Sequence, residues 1–164
     1  MAEPFEITDE MRSHVGVESE PWTYELTTTS VRAFARGVGY SDPVYYDVEA
    51  ARKAGYRSLP APPTYLGTPV FIPGRSSDVF SGPIQTGGPQ IGFGFSSILD
   101  AGTETEYFGS ICAGDTLRAV SRLAALDRRR SSSLGSMLIS TTETVYTNQD
   151  GVVVAIQRSR TILY

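Results

Sequence analysis

The sequence predicts an α+β fold in which a sheet curls around a helix. Three observations carry this. Apolar residues recur at helical spacing early in the chain, β-rich runs fill its last third, and Asn148-Gln149-Asp150-Gly151 between two of those runs is a hairpin signal. Helices followed by consecutive antiparallel strands form two layers around one core.

Taken in order, Trp22, Tyr24 and Leu26 alternate with polar neighbours and predict a short strand. Thr27-Thr28-Thr29-Ser30 is a run of N-cap residues. Val31, Phe34, Ala35 and Val38 then form one apolar helix face, and Gly39 ends it. A second short helix is expected from Asp47, with Ala50, Ala51 and Ala54 on one face and Gly55 as its stop. Residues 67–102 hold many Gly and Pro, and read as a long loop that shapes the substrate space. From Thr103 the pattern turns to strands. Thr103–Ile111 alternates loosely, Ala113-Gly114-Asp115 is a turn, and Ser136–Tyr146 and Val152–Leu163 flank the hairpin signal. Leu117–Leu126 is ambiguous, since its apolar spacing also suits a helix. With no internal repeat and no linker, residues 1–164 read as one domain with residues 1–18 as an N-terminal arm.

Composition bounds the function. The chain is 40% hydrophobic and 20% charged, an ordinary globular balance. No window approaches the roughly 18 unbroken apolar residues of a membrane span. The start, Met-Ala-Glu-Pro-Phe-Glu, lacks the pattern of a secretory signal. A single cysteine, Cys112, excludes an internal disulfide and fits the cytoplasm. A net charge of -4 argues against nucleic acid as the main partner.

Residues 39–47 read Gly-Tyr-Ser-Asp-Pro-Val-Tyr-Tyr-Asp. This stretch resembles the active-site motif of the MaoC-like hydratases and dehydratases, roughly Gly-Asp-x-Asn-Pro-Leu-His-x-Asp. Aligned on Pro43 and Asp47, the family's catalytic Asp falls on Tyr40, its Asn on Asp42 and its catalytic His on Tyr45. Further segments extend the resemblance over most of residues 20–164. These are Val31–Gly39, the Ala54–Tyr65 segment containing Ala61-Pro62-Pro63-Thr64, Ala113–Leu117 and Thr147–Gly151. The resemblance implies a hotdog fold, a long helix wrapped by an antiparallel sheet. It also implies dimers with active sites between two hotdogs, and acyl thioesters of coenzyme A or acyl carrier protein as substrates, with no other cofactor and no metal. The implied reaction is reversible addition of water to an enoyl thioester. In pattern the chain is similar to the non-catalytic subunits of heterodimeric hydroxyacyl dehydratases, so a homodimer or a heterodimer with a catalytic MaoC-like subunit is expected.

Hydration needs a base for water, an acid for the α-carbon and donors for the enolate oxygen. Tyrosine, with an ordinary pKa of about 10, is a poor base at neutral pH. No residue is therefore assigned a catalytic role. Asp42 is the nearest surviving carboxylate, read either as a displaced base or as a turn-forming Asp before Pro43. Asp47 reads as a helix cap or a catalytic acid, and with Glu49 would serve a thioesterase. His14 lies outside every motif. Tyr40, Tyr45, Tyr46, Pro62, Pro63 and Thr64 are the candidate substrate-binding residues. Arg118, Arg122 and the run Arg128, Arg129, Arg130 are the one basic concentration, either a solvated loop or a holder of carrier phosphates. The competing functions are a non-catalytic subunit, a self-sufficient hydro-lyase, a hotdog thioesterase and an acyl-thioester binding module.

Overall fold

The computed structural model describes residues 5–67 and 94–164. The first half of the chain holds α1 (Asp9–Ser13), β1 (Trp22–Glu25), α2 (Thr28–Gly37) and α3 (Val48–Lys53). Then come β2 (Ile98–Tyr107), β3 (Thr116–Ser131), β4 (Gly135–Thr147) and β5 (Val153–Leu163). The five strands form one sheet in the order β1-β3-β4-β5-β2, with every neighbouring pair antiparallel.

Both expected helices form where their caps predict. Thr27 accepts from the Ser30 amide at 3.0 Å while Ser30 Oγ accepts from the Thr27 amide at 3.0 Å, a reciprocal capping box. Each helix ends in the same device. Gly39, at φ +80°, lets the Gly39 amide reach Arg36 O and the Tyr40 amide reach Ala35 O. Gly55, at φ +93°, lets the Gly55 amide reach Arg52 O and the Tyr56 amide reach Ala51 O. Both are Schellman turns, and each delivers a tyrosine immediately after the glycine.

The ambiguity over Leu117–Leu126 resolves to strand: β3 runs for 16 residues. Its register with β4 shifts between Leu123 and Ala125. Leu117, Ala119, Ser121 and Leu123 alternate inward, and the bulge then resets the alternation. Two other readings are corrected. Residues 98–102, read as part of a long loop, belong to β2, where a bulge between Asp100 and Thr103 masks the alternation. The remainder of that segment, 68–93, lies outside the described residues. The N-terminal arm also contains α1, capped by Thr8.

The main core packs Trp22 and Tyr24 of β1, and Leu26 just after it, against Leu117, Ala119 and Tyr146 of the sheet and Leu66 of the 3₁₀ turn Tyr65–Gly67. A smaller cluster of Val31, Ala51, Leu59 and Ala113 joins α2, α3 and the loop after α3. Tyr56 and Val48 pack on its margin. No helix among the described residues is long and apolar enough to cross a membrane.

Candidate functional site

Residues 39–47 form a tight loop whose polar groups serve its own geometry. Asp42 accepts from the Val44 amide at 3.0 Å and caps a 3₁₀ turn over Pro43–Tyr45. Asp47 accepts from the amides of Glu49 at 2.7 Å and Ala50 at 3.3 Å, capping α3. Glu49 pairs with Arg52 on the exposed face of α3 at 2.7 Å. Tyr46 donates its hydroxyl to Tyr40 O, and Arg32 Nε donates to Tyr46 O at 2.9 Å. The capping readings of Asp42 and Asp47 therefore match the geometry.

Tyr40 and Tyr45, which align with the family's acid and base, stack on each other, with centroids 5.6 Å apart and planes at 25°. Tyr45 faces a groove of about 220 Å³. Tyr56 and Tyr107 complete its aromatic walls, and Pro60, Ala61, Pro63 and Ile111 supply aliphatic surface. Gly109 and Ser110 finish the lining, which among the described residues includes no carboxylate and no imidazole. Burial raises the phenols of Tyr45 and Tyr107 above the ordinary tyrosine value, and the neighbouring Tyr40 adds to the effect at Tyr45. These hydroxyls remain neutral donors at physiological pH.

The wall 60–63 is held from several sides. Ala61 donates to Ile111 O at 2.7 Å, and Ala113 donates to Leu59 O at 2.8 Å. Tyr107 donates its hydroxyl to Pro63 O. Just behind, Asp115 is 3% exposed and fully engaged. It pairs with Arg57, and accepts from the Cys112 amide at 2.8 Å and from Gln149 Nε2 at 3.2 Å. One carboxylate thus ties the loop after α3, the turn before β3 and the β4–β5 hairpin together. Cys112 is fully buried, and burial raises its thiol.

Of the candidate substrate-binding residues, Tyr45 and Pro63 line the groove. Tyr40 stands behind Tyr45, Pro62 is buried, and Tyr46 and Thr64 are not among the lining residues. Tyr56, Tyr107 and Ile111 were not anticipated. Tyr56 carries a signal, since it repeats the Gly-Tyr helix exit of Gly39-Tyr40.

The basic concentration is not a loop. Arg118 and Arg122 lie in β3, and Arg128, Arg129 and Arg130 form its far end. Arg122 pairs with Glu143 at 2.7 Å, and Arg128 binds Glu6 and Phe5 O. At about 3.3 Å per residue, Arg129 is roughly 40 Å along the strand from its groove end. The run is thus remote from the groove of its own chain, and Arg128, Arg129 and Arg130 together line one surface depression with Ser136. His14 caps α1 in the arm, away from the groove.

Comparison with known proteins agrees with this geometry. The family model for the FAS1-like, dehydratase domain region matches residues 13–157. A UPF0336 protein of Parafrankia sp. is 32% identical over 132 residues, covering 80% of this chain and 79% of the relative. A probable enoyl-CoA hydratase alpha subunit of Thermomonospora curvata is 26% identical over 139 residues, covering 82% of this chain but only 43% of the relative. Among solved structures, a MaoC-like dehydratase superposes with TM-score 0.70 at 24% identity, covering 93% of this chain and 42% of that one. The C-terminally truncated HadBC (3R-hydroxyacyl-ACP dehydratase) complex of Mycobacterium tuberculosis gives 0.62 at 22%, covering 91% and 98%. The five-stranded antiparallel sheet is that of a hotdog fold, as the motif around residues 39–47 implied. With a family match spanning nearly the whole chain, the protein belongs to the FAS1-like dehydratase domain region family.

Proposed function

We propose that this chain is the substrate-binding, non-catalytic subunit of a two-chain enoyl-thioester hydratase or hydroxyacyl-thioester dehydratase. The observation that carries the reading is the groove lining. Hydration needs a base and an acid that exchange protons near neutral pH. Among the described residues the groove offers three tyrosines and no carboxylate or imidazole. Tyr40 and Tyr45 occupy the motif positions as a stacked aromatic pair, a surface suited to packing against an acyl group or pantetheine arm.

The groove's size accords with half of a site. Its volume of about 220 Å³ is below the roughly 300–1,000 Å³ of a complete ligand pocket. Similar folds occur in two-chain assemblies, the HadBC complex and the ChsH1–ChsH2 complex of Mycobacterium tuberculosis. In this reading Tyr45, Tyr56, Tyr107 and Pro63 hold the thioester, carried on coenzyme A or acyl carrier protein. A MaoC-like partner supplies the Asp and His. The buried thiol of Cys112 fits action in the reducing cytoplasm.

The other readings lose support from the same geometry. A self-sufficient hydro-lyase would need Asp42, whose carboxylate caps the Pro43–Tyr45 turn outside the groove. A thioesterase would need Asp47 or Glu49, one a helix cap and the other paired with Arg52.

The test is hydration of crotonyl-CoA and a longer enoyl-CoA by the purified chain, alone and with subunits co-purified from the native host. The expected result is no turnover alone and turnover with the catalytic chain. Robust turnover by the chain alone, abolished by Asp42→Ala, overturns the reading. Free thiol release would indicate a thioesterase, and bound but unreacted thioester in the full assembly a binding module.

A further inference from the structure

The strand registers set the side chains on the core face of the sheet in rows. One row runs Ala119, Tyr146, Ala155 and Tyr107, from β3 through β4 and β5 to β2. Its first three members belong to the main core, and Tyr107 lines the groove. The next row on the same face, two residues further along each strand, is Ser121, Thr144, Gln157 and Thr105. The row after it is Leu123, Thr142, Ser159 and Thr103.

All of these side chains except Leu123 carry a hydroxyl or an amide. Ser121 and Thr144 are buried, and Gln157, Thr105, Thr142 and Ser159 are half-buried. The core face of an antiparallel sheet is ordinarily apolar. Valine for threonine and leucine for glutamine would keep the shapes and avoid desolvating polar groups. The two rows depart from that economy on the face that begins at the groove.

Their hydrogen bonds are local. Ser121 and Thr144 share one at 2.5 Å, and Thr103 and Ser159 share one at 3.1 Å. Gln157 is the hub nearest the groove. Its Nε2 donates to Thr105 Oγ1 at 3.2 Å, and its Oε1 accepts from the Tyr146 hydroxyl at 3.3 Å. An amide has two N–H donors and a carbonyl with two lone pairs, and a hydroxyl both gives and takes. Thr105 and Gln157 can therefore keep these bonds and still offer a donor and an acceptor to a third group. Thr105 lies on the face of Tyr107, about 7 Å further along β2.

We infer that the acyl group taken by this chain carries a hydroxyl or keto oxygen beyond its reacting carbons, and that Thr105 and Gln157 select it. The inference rests on the thioester reading of the groove and names the substrate class of that same site. An acyl chain passing Tyr107 and following the strands meets Thr105 and Gln157 first, then Thr103 and Ser159. A plain hydrocarbon on this course strips water from hydroxyls and returns no hydrogen bond, whereas an oxygenated chain returns one or more. A site that hydrogen-bonds its ligand rejects the analogue lacking the polar group, because its own groups are then left unpaired.

The probes are two saturated thioesters, octanoyl-CoA and its ω-hydroxy analogue, neither of which can be hydrated. Each is titrated calorimetrically into the full-length chain and into the assembly co-purified from the native host. The hydroxy analogue should bind roughly fivefold to tenfold more tightly. Thr105→Val and Gln157→Leu, made separately and each checked for folding by circular dichroism, should erase that preference by tightening octanoyl-CoA and weakening the analogue. One folded variant suffices. Equal binding by wild type, a preference for octanoyl-CoA, or a variant that weakens both ligands alike would overturn the inference and leave the thioester reading standing. Binding of neither ligand would sink both.

Discussion

The groove of Tyr45, Tyr56 and Tyr107 and the knot around Asp115 are built from adjoining residues that treat polar groups in opposite ways. Tyr56 and Ile111 face the groove, while their neighbours Arg57 and Cys112 serve the knot. The groove presents phenols that burial keeps neutral, and aliphatic surface between them. The knot holds a carboxylate whose oxygens all receive donors. The other buried acid, Glu143, is likewise committed, to Arg122 and Arg158. Among the described residues, both buried carboxylates are held by hydrogen-bond donors, and the groove lining has none.

The sharpest way to break this contrast is Asp115→Ala. It strands the Cys112 amide and the Gln149 amide group and releases Arg57, for an expected loss of about 2–4 kcal/mol. The urea midpoint measures it. A loss under about 0.5 kcal/mol would mean the knot is not what fixes the wall.

Glu143→Gln comes next, at about 1–2 kcal/mol, discounted because both arginines are partly exposed. Its effect depends on pH with a definite sign. The two arginine hydrogen bonds and charges lower the Glu143 pKa below its ordinary value of 4.5. The stabilisation is therefore present above that value and lost as pH falls through the lower folded pKa. Thermal melts of wild type and variant should differ at pH 7 and converge toward pH 3. A constant gap would exclude the charge as the cause.

Tyr45→Ala removes one ring of the stack and should cost only about 1 kcal/mol, since the ring is partly exposed. In the assembled enzyme it should raise KM several-fold. Loss of stability without a KM change would make the tyrosine pair structural. The smallest effect is Gly55→Ala. Nothing lies within 4 Å of the added Cβ, so the cost is the left-handed backbone alone, about 1 kcal/mol by chemical denaturation.

Where local signals agreed with tertiary demand, the fold could be read from the chain. α2 and α3 had caps, an apolar face and a terminal glycine, and the β4–β5 hairpin had Asn148–Gly151. β3 was obscured because its bulge breaks the two-residue period, spreading Leu117, Leu123 and Leu126 into spacing a helix could also use. The first half of β2 was hidden in the same way by Asp100–Gly102. α1 has little apolar periodicity, and the contacts to distant residues fall on its flanks, at Phe5, Val15 and Glu18. At the site, Tyr45 and Pro63 were legible because short motifs contain them. Tyr107 was not, because its place opposite Pro63 depends on a strand 44 positions away. The strand under the arginine run was hidden because its residues are all exposed, which erases the inward–outward alternation.

The order of the strands also bears on how the sheet comes together in time. β4 lies at the middle, and short hairpins tie it to β3 before it and β5 after it. The two margins arrive from afar: Trp22 must find Ala119, and Ile98 must find Leu163. Closing such long loops is the slow step for a chain of this topology. A three-stranded ribbon therefore forms first with both flanks open. β1 and the arm come to one flank and β2 to the other, so the two edge strands are the last to become native.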